Sequence, residues 1–270
     1  MQDKYLLSVL ITNYNTLDFI KLSLFALKKL TKNKYKVLIN DNGSRKKEVD
    51  ELKRIGDTNK NIFVNFRRAQ HAHASYAHAE ALDILIDMAD TEYTVVLDSD
   101  CIFLLKNWDE ALINGLNEKI KIIGTPLPQG RSGLKPYDFP FQFAVLFETK
   151  IYKELEISCM PKDILKGQDT CWEWMPKFVN NGYLGRIFTV ENTRDFKDGP
   201  FNKIICEEYY IDNGKLIVSH FGRGSSGGIV KYYHKWYFNM PIISRAIRKY
   251  AASKQKKRWM DICYNLIVDQ

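Results

Sequence analysis

The stretch Tyr93-Thr94-Val95-Val96-Leu97-Asp98-Ser99-Asp100 decides how this chain folds. Its first five residues are apolar or β-branched, which favours a buried strand, and the run ends abruptly in two carboxylates separated by one residue. A strand whose two faces are both covered has this pattern, because only its end reaches solvent. We therefore predict that Asp98 and Asp100 lie at the carboxyl end of a central strand.

The sequence before this stretch shows one pattern three times: a short apolar run, then a longer run whose apolar residues have helical spacing. The predicted strands cover 6–12, 35–40 and 62–66, and the predicted helices cover the residues after Thr16, 45–55 and 72–88. Strands that alternate with helices predict parallel βαβ units, and therefore an α/β fold with helices on both faces of a mixed, mainly parallel sheet. Such sheets bind ligands at the carboxyl ends of their strands, so the polar segments Thr12–Asn15, Asp41–Ser44 and Asp98–Asp100 should meet at one rim.

The sequence after this stretch is less regular. We predict a helix at 107–117, a strand at 120–125, a loop rich in Pro and Gly at 126–140, a strand at 143–148, a helix at 170–180, a strand at 186–190, and a hairpin of 207–211 with 216–220. A loop this long in a compact domain is usually functional. A glycine-rich segment, 222–228, then leads to a basic, aromatic and helical tail, so the chain divides into 1–125, 126–228 and 229–270.

Composition and charge limit the possible functions. The 270 residues contain 40 Lys and Arg against 32 Asp and Glu, and the stretch 242–270 alone holds seven basic and two acidic residues. The rest of the chain is therefore only mildly basic, which argues against binding of nucleic acid. The five cysteines form no Cys-x-x-Cys pair, which is typical of reduced, buried thiols in a cytoplasmic protein. The run 6–11 is too short for a signal peptide, and no apolar stretch is long enough to span a membrane.

Three segments at the ends of predicted strands carry a family resemblance: Asp98-Ser99-Asp100, Asp41-Asn42-Gly43-Ser44 and Thr12-Asn13-Tyr14-Asn15. Together they resemble the family 2 glycosyltransferases of the GT-A fold. The resemblance covers about residues 6–104 well and about 165–190 more loosely. It implies a GT-A (Rossmann-like) fold, a nucleotide-diphosphate sugar as donor, with UDP-sugars favoured, and Mn²⁺ or Mg²⁺ as cofactor. By the same resemblance, Thr12, Tyr14 and Asp41 hold the nucleotide base, Asp98 and Ser99 bind the ribose side, and Asp100 ligates the metal.

One segment departs from the family pattern. Where the family tends to show Ala-Arg-Asn-x-Gly, this chain has Ala77-His78-Ala79-Glu80-Ala81, so the Arg and the Asn are missing, together with any nucleotide contacts they make. We predict that His78 packs on the nucleotide side of the site. Arg68, which follows the third predicted strand, has two interpretations: its guanidinium pairs with a phosphate, or it is solvated at the strand end.

Three residues of the second half are further candidates. Gly167-Gln168-Asp169-Thr170 resembles the acidic motif at the head of the family's acceptor-side helix, which implies that Asp169 is the general base for the acceptor hydroxyl. The alternative is a plain N-cap, because Asp before a helix binds free N–H groups. In many GT-A enzymes a histidine late in the chain completes the metal shell, and His220 resembles it in position. The alternative is that His220 is a purely structural histidine. Arg223, in the glycine-rich segment, is predicted to stabilise the departing diphosphate.

These residues predict a metal-dependent, inverting glycosyltransferase that moves a sugar to an acceptor hydroxyl in glycan or polysaccharide biosynthesis. Inversion follows from a single displacement at the anomeric carbon, and the acceptor is a glycan or a lipid-linked molecule. On this view 1–125 is the nucleotide-sugar-binding half and 126–228 the acceptor-binding half of one domain. One alternative is a catalytically silent glycosyltransferase-like binding module. The other is a sugar nucleotidyltransferase. The signature of that class is a glycine-rich loop after the first strand, whereas the corresponding segment here, Thr12–Asn15, contains no glycine.

The tail has two interpretations. Residues 229–260 interleave aromatic side chains with lysines and arginines, a mixture that suits the headgroup region of an anionic membrane. On this interpretation the protein is cytoplasmic and lies peripherally on the inner face of the membrane. On the other, the aromatic side chains, Trp259 among them, pack onto the catalytic domain and only the lysines are solvated.

Overall fold

The computed structural model describes residues 4–127, 138–212, 214–224 and 243–270, with side chains in the last segment from Lys249 onward. The strands are β1 (Leu7–Asn13), β2 (Tyr35–Asp41), β3 (Ile62–Phe66), β4 (Tyr93–Leu97), β5 (Cys101–Phe103), β6 (Ile120–Gly124), β7 (Ala144–Glu148), β8 (Leu184–Ile187), β9 (Thr189–Asn192), β10 (Glu207–Ile211) and β11 (Lys215–His220). The helices are α1 (Leu17–Leu30), α2 (Lys46–Thr58), α3 (Ala74–Met88), α4 (Trp108–Ile113), α5 (Thr149–Glu154), α6 (Trp174–Asn180) and α7 (Ile243–Val268), with a 3₁₀ turn at Ile164–Lys166.

Seven strands form the main sheet, in the order β3-β2-β1-β4-β7-β6-β8. The first four are mutually parallel, and β7 is antiparallel to both of its neighbours, β4 and β6. The sheet is therefore mixed and mainly parallel, and its core of βαβ units is the predicted one. Because β7 runs against β4, the residues that precede β7 lie at the same rim as the residues that follow β4.

A second sheet has the order β5-β11-β10-β9, and its pairs are antiparallel. The predicted hairpin of β10 and β11 is confirmed. The predicted strand at 186–190 is wrong, because that stretch contains the end of β8 and the start of β9, which belong to different sheets. The chain changes sheets at Phe188, whose side chain is buried.

The chain also changes sheets immediately after β4. Leu97 ends β4 in the main sheet, Cys101 begins β5 in the second sheet, and the N–H of Cys101 donates to the carbonyl of Asp98 at 2.9 Å. Asp98, Ser99 and Asp100 therefore form the turn between two sheets. The acidic pair lies at an internal junction of the fold, and β5, which creates that junction, was not predicted.

Apolar side chains cover both faces of the main sheet. Val9 and Ile11 of β1 lie in a cluster with α1 and α7, whereas Leu10 lies in a separate cluster that includes Leu82 and Leu85 of α3. Alternate residues of one strand thus face two cores, as the uniformly apolar strands predict. All five cysteines are buried and free, in agreement with the prediction of reduced, buried thiols.

The C-terminal helix α7 packs on the domain rather than apart from it. Trp259 is fully buried, with ring centroids 5.8 Å from Phe19 and 5.6 Å from Phe221, and its indole N–H donates to the hydroxyl of Ser219 at 2.9 Å. For Trp259 the membrane interpretation is therefore wrong and the packing interpretation is confirmed. The aromatic residues at 232–238, together with 128–137 of the predicted loop and 225–228 of the glycine-rich segment, lie outside the described residues. None of the helices described combines the length and the apolar composition that a membrane span requires.

Candidate active site

A cleft of about 830 Å³ opens along the rim that was predicted to bind ligands. This volume is within the range typical of small-molecule sites, about 300–1,000 Å³. Its lining includes ten of the predicted site residues: Thr12, Tyr14, Arg68, His78, Asp98, Ser99, Asp100, Asp169, His220 and Arg223. Two segments distant in sequence, around Asp98 and around Asp169, therefore face one cavity, while Asp41 is absent from its lining.

Asp98, Asp100 and His220 form a cluster at the centre of the rim. Each offers one ligand atom, and these atoms all lie within 4.8 Å of one another. Strand pairing explains the proximity, because His220 at the end of β11 is opposite Cys101, the residue that follows Asp100. Carboxylate oxygen with imidazole nitrogen is a donor set that suits Mn²⁺, so these three residues fit a divalent cation.

Asp100 is buried and held on both carboxylate oxygens. Its Oδ2 accepts hydrogen bonds from the backbone N–H groups of Arg223 at 2.8 Å and Gly224 at 2.7 Å, and its Oδ1 lies 3.5 Å from Nε2 of His220. Burial by itself raises the pKa of Asp100, but the charge and hydrogen bond of His220 and the two N–H groups hold that pKa below its usual value. Asp100 therefore stays ionised in a buried place.

His220 is fixed by a second carboxylate. Its Nδ1 lies 3.0 Å from Oε2 of Glu207, and its ring packs 4.4 Å from that of Phe143. Burial acts to lower the pKa of His220, but Asp100 and Glu207 raise it well above its usual value. A carboxylate on one ring nitrogen commonly orients the other towards a metal. The predictions missed Glu207, although the predicted hairpin places it directly opposite His220 and so contained the signal.

Asp98 and His78 form a less satisfied pair on the other side of the cluster. Burial, reinforced by the charges of Asp100 and Asp169, raises the pKa of Asp98 to about 8, against the effect of His220. Burial also lowers the pKa of His78 to about 4. Nε2 of His78 lies 3.4 Å from Oδ1 of Asp98 and has no hydrogen-bond partner among the described residues. Burial thus favours the neutral form of both groups in the protein without ligand.

Asp169 lines the cleft from the segment that precedes α6. Its Oδ1 accepts a hydrogen bond from the N–H of Thr170 at 2.9 Å, and the Thr170 hydroxyl donates to the carbonyl of Ser75 at 2.9 Å, which ties this segment to α3. Helix α6 begins only at Trp174, and its N-cap is Glu173. The interpretation of Asp169 as the cap of this helix is therefore wrong, and the predicted helix start at residue 170 is four residues too early.

Asp41 holds a loop and does not line the cleft. Its Oδ1 accepts from the side-chain amide of Asn13 at 2.7 Å, and its Oδ2 accepts from the N–H groups of Gly43 at 3.2 Å and Ser44 at 3.0 Å. The side chain is also almost fully buried. These contacts give Asp41 a structural role in the loop, and its predicted contact with the nucleotide base stays a prediction.

The two predicted arginines differ in position. Arg68 is exposed where it borders the cleft near Gly43. The guanidinium of Arg223 donates through Nη1 to Oε1 of Gln255 in α7 at 2.8 Å and through Nη2 to the carbonyl of Ile205. The guanidinium therefore links the 221–224 segment to α7, and the backbone N–H of Arg223 donates to Asp100, while the predicted contact of Arg223 with a diphosphate stays a prediction.

Two cleft residues had no sequence signal. Gln142 and Phe143 lie just before β7, where the antiparallel direction of that strand brings them to the rim, and the carbonyl of Phe143 accepts from the N–H of Asp98 at 2.8 Å. The residues around them form no motif, so only the strand pairing reveals them.

Comparisons with known proteins give one family match and several structures of similar fold. The family model described as "Glycosyl transferase family 2" matches residues 8–172. Among solved structures, the mannosyltransferase PcManGT from Pyrobaculum calidifontis, in complex with GDP-Man and Mn²⁺, is 14% identical over 69% of this chain and 55% of its own, with a TM-score of 0.53. TarS from S. aureus is 15% identical over 68% of this chain and 35% of its own, with a TM-score of 0.50. The alignment thus spans about half of the first structure and a third of the second, and the likeness concerns the fold. A search of curated proteins gave no match.

Proposed function

Because the chain belongs to glycosyl transferase family 2, we propose that it is a metal-dependent, inverting glycosyltransferase that moves a sugar from a nucleotide-diphosphate donor to an acceptor hydroxyl. The main supporting observation is the cluster of Asp98, Asp100 and His220 at the rim of a cleft that also contains Asp169. A structurally similar mannosyltransferase was solved with GDP-Man and Mn²⁺, which supports the donor class and the cation. Within that class we favour a UDP-sugar.

The donor's nucleotide belongs, in this proposal, at the β1–β2 end of the cleft, which we define by Thr12, Tyr14, Asn42 and Arg68. Tyr14 is 52% exposed and offers an aromatic face to a base. Arg68 offers a guanidinium, which pairs well with phosphate. The diphosphate then reaches the middle of the rim, at the turn formed by residues 98–100.

Asp100 and His220, with Asp98, would hold Mn²⁺ or Mg²⁺ at that turn. When bound, the cation neutralises the charge that develops on the departing diphosphate. Glu207 keeps the His220 ring oriented, and the two backbone N–H groups that bind Oδ2 keep the Asp100 carboxylate in place. These contacts fix the geometry before the donor arrives, so little reorganisation is needed during the reaction.

Asp169 accepts the proton of the acceptor hydroxyl as the new glycosidic bond forms. The oxygen attacks the anomeric carbon on the face opposite the diphosphate, the bond to the diphosphate breaks, and the configuration inverts. The acceptor enters from the half of the domain that contains residues 126–228, and we propose a glycan or a lipid-linked acceptor in glycan or polysaccharide biosynthesis.

We also propose a cytoplasmic protein that touches the inner face of the membrane through α7. Lys249, Lys254, Lys257 and Arg258 are exposed on this helix, and each contributes up to about 1 kcal/mol near an anionic surface. Flotation with vesicles containing phosphatidylserine should therefore show binding at low salt that high salt removes. Absence of binding at low salt, or binding unchanged by salt, would exclude this electrostatic contact.

The experiment that tests the function is a screen of UDP-glucose, UDP-N-acetylglucosamine and GDP-mannose with the purified protein, with Mn²⁺ or with EDTA. We expect one donor to raise the melting temperature and to be hydrolysed slowly, both only with Mn²⁺. Binding without hydrolysis or transfer would identify a catalytically silent module, and release of pyrophosphate from a nucleoside triphosphate and a sugar phosphate would identify a nucleotidyltransferase. No binding of any donor would overturn the proposal.

A further inference from the structure

We propose that Gln142 recognises a hydroxyl of the sugar that is transferred, and so helps to decide which donor sugar the enzyme accepts. The inference rests on the proposed function, since it names a residue of the same site. It depends on three observations about Gln142: its burial, the lack of a partner for its side-chain oxygen, and its position along the rim.

The side chain of Gln142 is 6% exposed and lines the cleft. Its Oε1 has no hydrogen-bond partner among the described residues. A buried carbonyl oxygen without a partner destabilises the folded protein, and an apolar residue of similar size would avoid that cost. A glutamine in this position is explained if a ligand supplies the missing hydrogen bond.

The order of strands indicates which part of the donor reaches Gln142. Along the rim, β2 and β1 come first, β4 with Asp98 and Asp100 is next, and β7, preceded by Gln142, follows. The nucleotide lies at the β1–β2 end and the diphosphate at the turn after β4. Gln142 therefore lies beyond the diphosphate, at what we call the β4–β7 end of the cleft, where the sugar must be.

The chemistry of the donor agrees with this position. Diphosphate oxygens are ionised at neutral pH and can only accept hydrogen bonds, so they cannot satisfy the Oε1 of Gln142. Sugar hydroxyls, and the N–H of an N-acetylamino sugar, can donate. A hydroxyl also accepts, so it matches the side-chain amide in either orientation. The contact would discriminate against a donor that lacks this group, because the amide then stays buried and unpaired.

The test compares affinities for a nucleotide sugar and for its nucleoside diphosphate. Gln142→Met keeps the length of the side chain but removes the amide. By calorimetry with Mn²⁺, we expect it to bind the preferred nucleotide sugar on the order of tenfold more weakly than the native protein, and the matching UDP or GDP equally well. The melting temperature of the ligand-free variant should be unchanged or higher, because a buried unpaired oxygen has been removed.

Two controls make the result specific. Tyr14→Ala, at the β1–β2 end, should leave the ratio of the two affinities unchanged, whatever it does to each. The 2-, 3-, 4- and 6-deoxy analogues of the preferred donor identify the hydroxyl: one of them should bind the native protein more weakly, yet bind Gln142→Met as well as the parent donor does. Gln142→Ala serves as a second variant if Gln142→Met is unstable.

Other outcomes overturn the inference in distinguishable ways. If Gln142→Met loses equal affinity for the nucleotide sugar and the nucleoside diphosphate, and also binds Mn²⁺ alone more weakly, Gln142 is a metal ligand. Unchanged affinity for both, whatever the melting temperature, would make it a structural residue. If the native protein binds no nucleotide sugar, the proposed function itself fails, and this inference fails with it.

Discussion

The two ends of the cleft are built differently. At the β1–β2 end, Asn42 donates to the carbonyl of Ala77, and behind that end Asp41 binds Asn13, Gly43 and Ser44, so these polar side chains are occupied within the protein. From the middle of the rim to the β4–β7 end, Nε2 of His78 and Oε1 of Gln142 are buried without a partner among the described residues.

This difference indicates which polar groups of the cleft are left to bind a ligand. A satisfied polar group contributes to stability and shapes the surface, whereas a buried unsatisfied one lowers stability until a ligand binds. Within the cleft, the shifted pKa values belong to Asp98, Asp100, His78 and His220, at the middle of the rim. Substitutions of Asp100 and its neighbours in the cleft should therefore change activity more than stability, and substitution of Asp41, which holds the loop behind the β1–β2 end, should do the reverse.

The largest effect is expected for Asp100→Asn. The amide oxygen can still accept from the two backbone N–H groups, so the segment keeps its conformation, but the negative charge is lost. Metal-assisted charge stabilisation is worth several kcal/mol, so turnover should fall on the order of 10³-fold and Mn²⁺-dependent donor binding should disappear. Turnover assays and calorimetry measure both.

Asp109→Asn is the matched control for this change. Asp109 is also buried and also accepts two backbone N–H groups, those of Lys32 at 3.0 Å and Asn33 at 2.8 Å, but it lies outside the cleft. It should lower stability and leave donor binding intact. Native Mn²⁺-dependent donor affinity in Asp100→Asn would remove Asp100 from the site.

Asp169→Asn should reduce turnover on the order of 10²-fold, because an amide cannot accept the acceptor's proton. Donor affinity should barely change, so the effect appears in kcat and not in donor binding. Asp163→Asn is the control, since Asp163 makes a similar local bond to the N–H of Leu165 at 3.0 Å outside the cleft. Near-normal turnover in Asp169→Asn would show that the carboxylate is dispensable.

Gly224→Ala should weaken Mn²⁺-dependent donor binding about tenfold, in line with substitutions that disturb the support of a metal ligand. A Cβ at Gly224 would lie 3.0 Å from Cγ and 3.2 Å from Oδ2 of Asp100, so the carboxylate has to move. Gly56→Ala is the control, because a Cβ there meets Val64 at an ordinary 3.4 Å. Equal donor affinity in both variants would mean that the position of Asp100 tolerates displacement.

Asp41→Asn should have the smallest effect on function and a clear effect on stability. It weakens charge-assisted hydrogen bonds to Asn13, Gly43 and Ser44, so the free energy of unfolding should fall by about 1–3 kcal/mol. Donor affinity should stay within about threefold, as expected for a side chain outside the cleft. A large loss of donor affinity at native stability would restore Asp41 as a base-binding residue and would contradict the comparison of the two ends.

Sequence patterns were sufficient for the main sheet. The strand at 62–66 and the strand at 93–97 were predicted with the bounds that the structure has, and 6–12 and 35–40 are within one residue of β1 and β2. β1, β2 and β4 are almost entirely buried, and β3 is the more exposed edge strand, but all four are apolar runs followed by polar or turn residues, so their patterns are unambiguous. The rim that brings Thr12, Asp98 and Asp169 to one cleft was likewise predicted, from the direction of the strands and from the family resemblance.

Long-range contacts explain what was missed. The guanidinium of Arg223 was predicted to face a diphosphate, but it is taken by Gln255, 32 residues later, on a helix whose docking depends on the burial of Trp259. The structural role of Asp41 was missed for a related reason, because its partner Asn13 is 28 residues away. A motif specifies residue types and not the partners that compete for them.

The sequence by itself determined the parallel units, the rim and the acidic turn of residues 98–100, because these follow from the local periodicity of apolar residues and from the fixed direction of strands in βαβ units. Only the tertiary structure decided that β5 joins β11, that Glu207 supports His220, and that Gln142 reaches the cleft with an oxygen that no described residue binds. The physical reason is that antiparallel pairing between distant segments depends on the packing of the whole domain. Short strands such as Cys101–Phe103 carry too few residues to show a pattern of their own.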